Sequence, residues 1–249
     1  MRFALIGGTG RLGSALVWRL AQRGHHVIIG SRSVEQAINA AGLAGALAQG
    51  GAPVEGARNA DAVRHAEVVV LTVPACGQSA VLAEIASAAA GRVVIDTCVC
   101  HDETTPGLWV RPAEGSAALR VRRALHPAAA VAATLHAVSS RALRDPQRFP
   151  PSHVPLVAEN SEARDAATYL LDELDLAWVD AGGLEMAAGL EGLAAVLCAV
   201  SERHGVPRPG VRFVGLMAGG GDGLSGAGGR QPHGASAPLV STAPLNPTI

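Results

Sequence analysis

Three glycines, Gly8, Gly10 and Gly13, stand at the spacing G-x-G-x-x-G directly behind the apolar run "FALI" and ahead of "RLGSALVWRLAQ". Glycine at such positions lets the backbone approach a pyrophosphate, and the N-terminus of a following helix turns unpaired N–H groups toward the anion. The motif is weak alone and gains force from its context, a strand beginning at residue two and a helix after the loop. Gly8 is expected to allow the tight turn, Gly10 the approach of the pyrophosphate, and Gly13 the packing of helix on strand. Thr9, Arg11 and Leu12 complete the loop as cofactor contacts. The competing reading is a glycine-rich turn that holds nothing.

The end of the second strand chooses the dinucleotide. An NAD site places Asp or Glu there to accept the ribose 2′-hydroxyl, whereas this chain reads "GSRS", Gly30 to Ser33. Ser31 can hydrogen-bond a 2′-phosphate and Arg32 can pair with it through two charge-assisted bonds. Arg11, in the loop itself, adds a second positive neighbour. This favours NADP(H); a solvated surface arginine is the alternative for Arg32. Further along, "LTVP" closes a strand, and Thr72, Val73 and Pro74 are expected to line the ribose and nicotinamide side. Ligands of open α/β sheets sit outside the carboxyl ends of strands at the topological switch. Pro74 serves equally well as a strand terminator.

These residues need a scaffold, and the first half of the chain supplies one. Apolar runs ("RFALIG", "HVIIG", "EVVVLTVP", "RVVIDTC") alternate with helical patterns at "RLGSALVWRLAQRG", "SVEQAINAAGLAGALAQ" and Gln78 to Ala89, with a weak edge strand near Val54. Continuous Val/Ile/Leu runs belong to strands covered on both faces. The alternation implies an α/β fold, a right-handed doubly wound Rossmann-type parallel sheet. The second half adds a helix near Glu114 to Leu125, a strand near Ala130 to Leu135, a loop through "RDPQRFPPS", the strand "VPLVAE", a helix from Glu162 to Leu174, and "LAWVDAGG". The strands among them extend the same sheet. Leu184 to His204 then forms a long, mostly apolar helix that should pack on the sheet or on a second subunit. The expected organisation is an NADP-binding domain with its sheet extension over 1–183, a packing and dimerisation helix over 184–217, and a disordered Gly/Ser/Pro-rich tail over 218–249.

Composition removes several chemistries. The chain has 249 residues and a formal net charge of −1, so no global field recruits nucleic acid or acidic membranes. All 20 basic residues are arginine. Schiff-base lysines, P-loop lysines and the Tyr-x-x-x-Lys pair of short-chain dehydrogenases are therefore excluded. Cys76, Cys98, Cys100 and Cys198 lack a disulfide-framework spacing, and no signal peptide opens the chain, which points to a reducing cytoplasm. No stretch approaches the roughly 20 apolar residues that cross a bilayer, so no membrane partner is expected. "CVCHDE" invites a metal reading, but C-x-C-H has no second ligand pair, and no metal is expected. His25 and His26 should be solvated.

The segments "ALIGGTGRLG", "IIGSR", "LTVP", "ATLHAVSSRAL" and "VDAGGL", in this order, resemble those of NADPH-dependent F420 reductases, the F420H2:NADP oxidoreductases. The likeness runs from residue 1 to about Leu216, where "VRFVGL" resembles the family's ending. It implies hydride exchange between NADP(H) and the deazaflavin coenzyme F420, two small-molecule redox partners, with a homodimer as the working form. By resemblance, His136 donates a hydrogen bond to the deazaflavin, Val138 presses an apolar surface on it, and Ala137 and Val99 lie near the nicotinamide. No residue is assigned as catalytic, because hydride passes directly between two stacked rings and the protein's task is alignment and exclusion of water. The chain departs from the pattern at Ala75, where an aromatic is common, and at Gly182-Gly183, where the turn usually continues with proline. Its loop "CVCHDETTPGLWVRPAEG" is also less apolar than usual. Trp109 covers the deazaflavin or anchors its loop; Arg120 to Arg123 meet the coenzyme's acidic tail or form a solvated helix face. Two other readings stand beside this one: an NADPH-dependent reductase of a small imine or carbonyl, and a redox sensor that binds NADP(H) without turnover.

Overall fold

The computed structural model describes residues 1–48, 51–102, 108–145, 152–207 and 209–216. The tail at 218–249 and most of "RDPQRFPPS" lie outside the described residues. The elements run β1 (Arg2–Ile6), α1 (Arg11–Gln22), β2 (His26–Ser31), α2 (Val34–Leu47), β3 (Val54–Arg58), α3 (Asn59–His65), β4 (Val68–Leu71), α4 (Ala75–Ile85) and β5 (Val93–Asp96). Then follow α5 (Ala117–Ala124), β6 (Ala130–Ala133), α6 (Ser140–Arg144), β7 (Val154–Ala158), α7 (Ser161–Glu173), β8 (Trp178–Asp180), a 3-10 turn at Leu184–Met186, and α8 (Ala187–His204).

The strands form one eight-stranded sheet in the order β3-β2-β1-β4-β5-β6-β7-β8. Strands β1 and β4 are neighbours in parallel register, Ile6 opposite Leu71. Their connections leave in opposite directions, which makes this the topological switch where a crevice opens. Every residue of β4, β5 and β6 is buried. Helices cover both faces, which is why these strands read as unbroken apolar runs. One face packs α1, α2 and α7 around Leu5, Leu16, Ile29 and Leu170; the other packs α3, α4, α5 and the start of α8 around Ile6, Leu71, Leu82 and Val121.

Four features differ from the sequence expectations. Strand β7 runs antiparallel to β6, with Ala132 opposite Ala158. Ala133 likewise lies opposite Val157; a strand buried on both faces reads as the same apolar run whichever way it points, so its direction leaves no mark in the local pattern. Helices α3 and α6 themselves, of seven and five residues, are too short to leave a periodic signal. His25 is buried rather than solvated, with its ring between Phe3 and Tyr169 and its Nε2 2.9 Å from Glu173. Finally, Leu184–His204 is long and apolar enough to cross a membrane by length and composition alone, with a mean hydropathy of 1.6 over its best window.

Candidate functional site

At the tip of β1 the chain turns through Gly7, whose φ of 86° lies in the left-handed region. The tight turn assigned to Gly8 is therefore made by Gly7, and Gly8 serves a packing need instead. A Cβ on Gly8 would stand 3.0 Å from both Ile29 Cγ2 and the Leu5 carbonyl oxygen. Gly13 is tighter still: its Cβ would meet the Gly7 oxygen at 2.5 Å, and Gly8 Cα and Thr72 Oγ1 at 2.7 Å each. The helix can thus begin almost on top of the strand tips. Helices α2, α5, α6 and α7 are closed at their N-termini by Ser33, Ser116, Ser139 and Asn160, whereas no side chain caps α1 at Gly10. Its first-turn N–H groups remain available to an anion, and the first turn carries no acidic residue. Thr9 and Arg11 are exposed at the mouth and Leu12 is half-buried behind them.

Beside this loop, the Gly7 N–H donates to the Gly30 carbonyl at 3.3 Å, which ties it to the end of β2. Ser31 Oγ accepts from the Ser33 N–H at 3.2 Å, a local bond that fixes the turn into α2. Arg32 is exposed and makes no ion pair or hydrogen bond within the described residues. A free cation next to a hydroxyl and an uncapped helix suits a phosphate better than an internal role.

On the other side of β1 the strand tips are stitched together. Thr72 donates to the Ile6 carbonyl through both its N–H, at 2.9 Å, and its Oγ1, at 3.0 Å. The Val73 methyl is close enough to Gly7 to exclude a side chain there. Cys98 Sγ donates to the Val73 carbonyl at 3.1 Å, and the Cys98 backbone in turn faces His136. The predicted residues therefore form one row across the carboxyl ends of β2, β1, β4, β5 and β6, from Arg32 to His136. Pro74 is exposed, while Val99 and Ala137 are half-buried. Val138 departs from its expected part: it is 7 % exposed and packs with Leu135 and Leu143 in the core. Only its edge is left for a ligand.

His136 follows Leu135, whose φ of 68° is left-handed. A leucine held there costs on the order of 1–3 kcal/mol, and such strain collects where a side chain must be aimed. His136 is half-buried, and both its ring nitrogens are shielded from solvent and, among the described residues, make no well-formed hydrogen bond, with the Cys98 backbone their polar neighbour. Burial lowers its pKa to about 4, so the ring is neutral at physiological pH and has one donor and one acceptor to offer.

Two buried carboxyls, neither singled out in the sequence, hold the far wall. Glu191 of α8 accepts from the Ala117 N–H at 2.6 Å and from Trp109 Nε1 at 3.2 Å. Trp109 is thus an anchor of its loop to α8. The signal for Glu191 was a lone carboxylate inside "AAGLEGLAAVL", where a surface charge has no place. Asp96, wholly buried, accepts from Gln78 Nε2 at 2.9 Å. Burial pushes its pKa up to about 7. Arg120, paired with Glu114, reaches Gln78 Oε1 at 3.4 Å, which leaves Arg120 engaged within the fold. Arg123 is exposed and borders a separate groove with Glu159 and Glu162. Among the described residues no group of three or more His, Cys, Asp or Glu side chains could hold a metal ion.

Residues 2–99, from β1 through the row at Val99, match the family described as NADP oxidoreductase coenzyme F420-dependent. Along nearly its full length the chain is similar to the F420-dependent NADP reductase of Methanothermobacter marburgensis. The two are 36% identical over 222 residues, which cover 87% of this chain and 99% of the relative. The chain belongs to the F420-dependent NADP reductase family. The relative from Methanocaldococcus jannaschii is 28% identical over 228 residues, again 87% of this chain and 99% of its own. A crystal structure from Arthrobacter sp. FB24 superposes with a TM-score of 0.73 at 24% identity, covering 85% of this chain and 98% of that one. That likeness establishes the shared fold. In this member of the F420-dependent NADP reductase family, the matched residues 2–99 end just where the row passes from β5 toward His136.

Proposed function

We propose that this chain transfers a hydride between NADP(H) and coenzyme F420, with the two coenzymes seated side by side along the row of strand tips. The observation that carries the reading is the continuity of that row. A phosphate cradle at Gly7–Gly13 and the half-buried His136, with its solvent-shielded ring nitrogens, are joined through Thr72, Val73 and Cys98. In the direction of F420 reduction, NADPH gives two electrons and one proton from C4 of its nicotinamide to C5 of the deazaflavin. A second proton joins the pyrimidine ring from solvent. The bound coenzymes supply the redox chemistry; the chain supplies position and dryness.

Gly8, Thr9, Gly10, Leu12 and Gly13 hold the pyrophosphate, and Ser31 and Arg32 the 2′-phosphate, with Arg11 as a second positive neighbour. Thr72, Val73, Pro74, Val99 and Ala137 border the nicotinamide, and His136 with the edge of Val138 meets the deazaflavin. Residues 1–183 form the coenzyme-binding unit and 184–217 the packing element. The outer half of α8 exposes Val196 and Val200, and Phe213, Val214 and Leu216 are exposed nearby in sequence. A second copy of the chain covers this apolar surface in a homodimer, without recourse to a membrane. The four free cysteines suit a reducing cytoplasm.

The test is to mix the purified protein with NADPH and oxidised F420 and follow the coenzyme's visible absorbance, which should bleach within minutes. NADPH that persists, or is consumed only by an imine, discards the reading. Within that assay, His136→Ala is expected to raise the KM for F420 about tenfold while the Kd for NADPH stays within a factor of two. Because the ring is neutral, the His136 contribution should be level from pH 6 to 8. An inflection near the ordinary histidine pKa that disappears in the variant would contradict the shielded geometry.

A further inference from the structure

Strand β3 ends next to the 2′-phosphate pocket, and its last residue is an arginine. In the β2–β3 ladder the final parallel pair is Ser31 with Arg58. Neighbouring strands lie about 4.8 Å apart, and residues in register project to the same side of the sheet. Arg58 therefore leaves the backbone beside the hydroxyl already assigned to the phosphate.

The strand end is held in place from below. Gly30, the residue before Ser31, lacks the side chain that would collide with Ile6 and press on Asn59 Oδ1 at 3.1 Å and Ala62 Cβ at 3.4 Å. Asn59, the residue after Arg58, is 2 % exposed, and its Nδ2 donates to Glu84 Oε2 at 2.8 Å. Bare Gly30 and buried Asn59 thus draw the two strand tips together and fix the point from which Arg58 extends. Among the charges on β3 and α3, Arg64 pairs with Asp61, and Glu55 is 2.9 Å from His26. Arg58 is exposed and makes no ion pair or hydrogen bond within the described residues, the same condition as Arg32.

We infer that Arg58 is a further guanidinium for the 2′-phosphate and, with Arg32, sets the preference of the enzyme for NADP(H) over NAD(H). The inference rests on the NADP(H) reading given above and adds a residue from a different strand to it. A phosphate near two charges at neutral pH has acceptor oxygens on several sides, and Arg32 reaches it from the α2 turn only. Arg58 approaches from β3, across Ser31, so the two cations bracket the anion. With a chain net charge of −1 there is no global field to do this, and the local pair must.

Calorimetric titration with 2′,5′-ADP and with 5′-AMP separates this inference from the reading beneath it. The wild-type protein should prefer 2′,5′-ADP. Arg58→Ala should weaken 2′,5′-ADP by about tenfold or more and leave 5′-AMP within twofold, Arg58→Lys should regain part of the loss, and Arg32→Ala should behave like Arg58→Ala. Equal loss of both nucleotides in Arg58→Ala assigns the side chain to stacking on adenine and overturns the inference. So does unchanged binding of 2′,5′-ADP by Arg58→Ala while Arg32→Ala still weakens 2′,5′-ADP alone, and the NADP(H) reading then survives. A wild-type protein that does not distinguish the two nucleotides ends both. Arg58 is exposed, so thermal unfolding of the variants should match the wild type.

Discussion

Gly13→Ala is expected to weaken NADPH binding by about tenfold to a hundredfold, and to lower thermal stability, for the addition of one methyl group. In an open helix position the same change stabilises by about 0.5–1 kcal/mol, because alanine is the better helix former. Gly13 lies inside α1, so propensity alone predicts a gain. Contact decides otherwise. The new carbon would stand 2.5 Å from the Gly7 oxygen and 2.7 Å from Gly8 Cα, both backbone atoms that cannot swing aside. Either α1 lifts from the sheet or the Gly7–Gly10 turn opens, and both movements disperse the N–H groups aimed at the pyrophosphate. Gly42→Ala and Gly45→Ala in α2 are the controls, since an added Cβ meets nothing within 4 Å at either position. Those variants should melt at or above the wild-type temperature and bind NADPH normally. Fluorescence titration with NADPH and thermal unfolding check all three. A Gly13→Ala protein that binds as the wild type would mean that the loop does not depend on this close approach.

Asp96→Asn is expected to stabilise the protein at pH 8 by up to about 4 kcal/mol and to flatten its stability profile between roughly pH 4 and 7. The sign follows from the direction of the shift. Burial raises the Asp96 pKa from 3.8 to about 7, so across that interval the folded chain holds a proton that the unfolded chain has released. Stability must then fall as pH rises through the interval, and above it the fold contains a charge with no cation beside it. Gln78 donates one bond to Oδ1, the Cys98 thiol and amide offset part of the cost, and Glu191 adds to it. Asparagine keeps an acceptor for Gln78 and carries no charge. Chemical unfolding at pH 4.5, 6 and 8 reads the difference: the variant and wild type should agree at the acid end and separate toward pH 8. Equal profiles would place a compensating charge near Asp96 that the packing does not contain.

The elements that position the site were legible because they are long or fully covered. The runs at Phe3–Ile6, Val68–Leu71 and Val93–Ile95 are apolar on both faces, which only a sheet between helices requires. The phosphate loop was legible from spacing, and Ser31–Arg32 from their place after β2. What could not be read were facts of tertiary contact. The left-handed turn falls on Gly7, one residue before the motif, where Thr72 and Val73, just past the end of β4, leave no room for a side chain. His25 looked solvated beside His26, yet consecutive residues entering a strand face opposite ways, and only one met Phe3 and Tyr169. The direction of β7 is fixed by its antiparallel pairing with β6, which an apolar run buried on both faces does not announce. Asp96 and Glu191 acquire their burial from Gln78, Trp109 and α5, partners that periodicity does not connect. Leu135 belongs to the same class: nothing in a leucine announces φ above zero, and its strain is visible only next to the His136 it aims.

The central claim, two coenzymes meeting ring to ring along these strand tips, is tested most directly by the fate of a label. NADPH deuterated at both hydrogens of C4 is given to the protein with oxidised F420 in ordinary water, and the reduced deazaflavin is examined by mass spectrometry and NMR. Direct transfer predicts one deuterium per molecule at C5, with none lost to solvent. Reduced deazaflavin without deuterium, or no reduction at all while the protein still binds NADPH, would contradict the account.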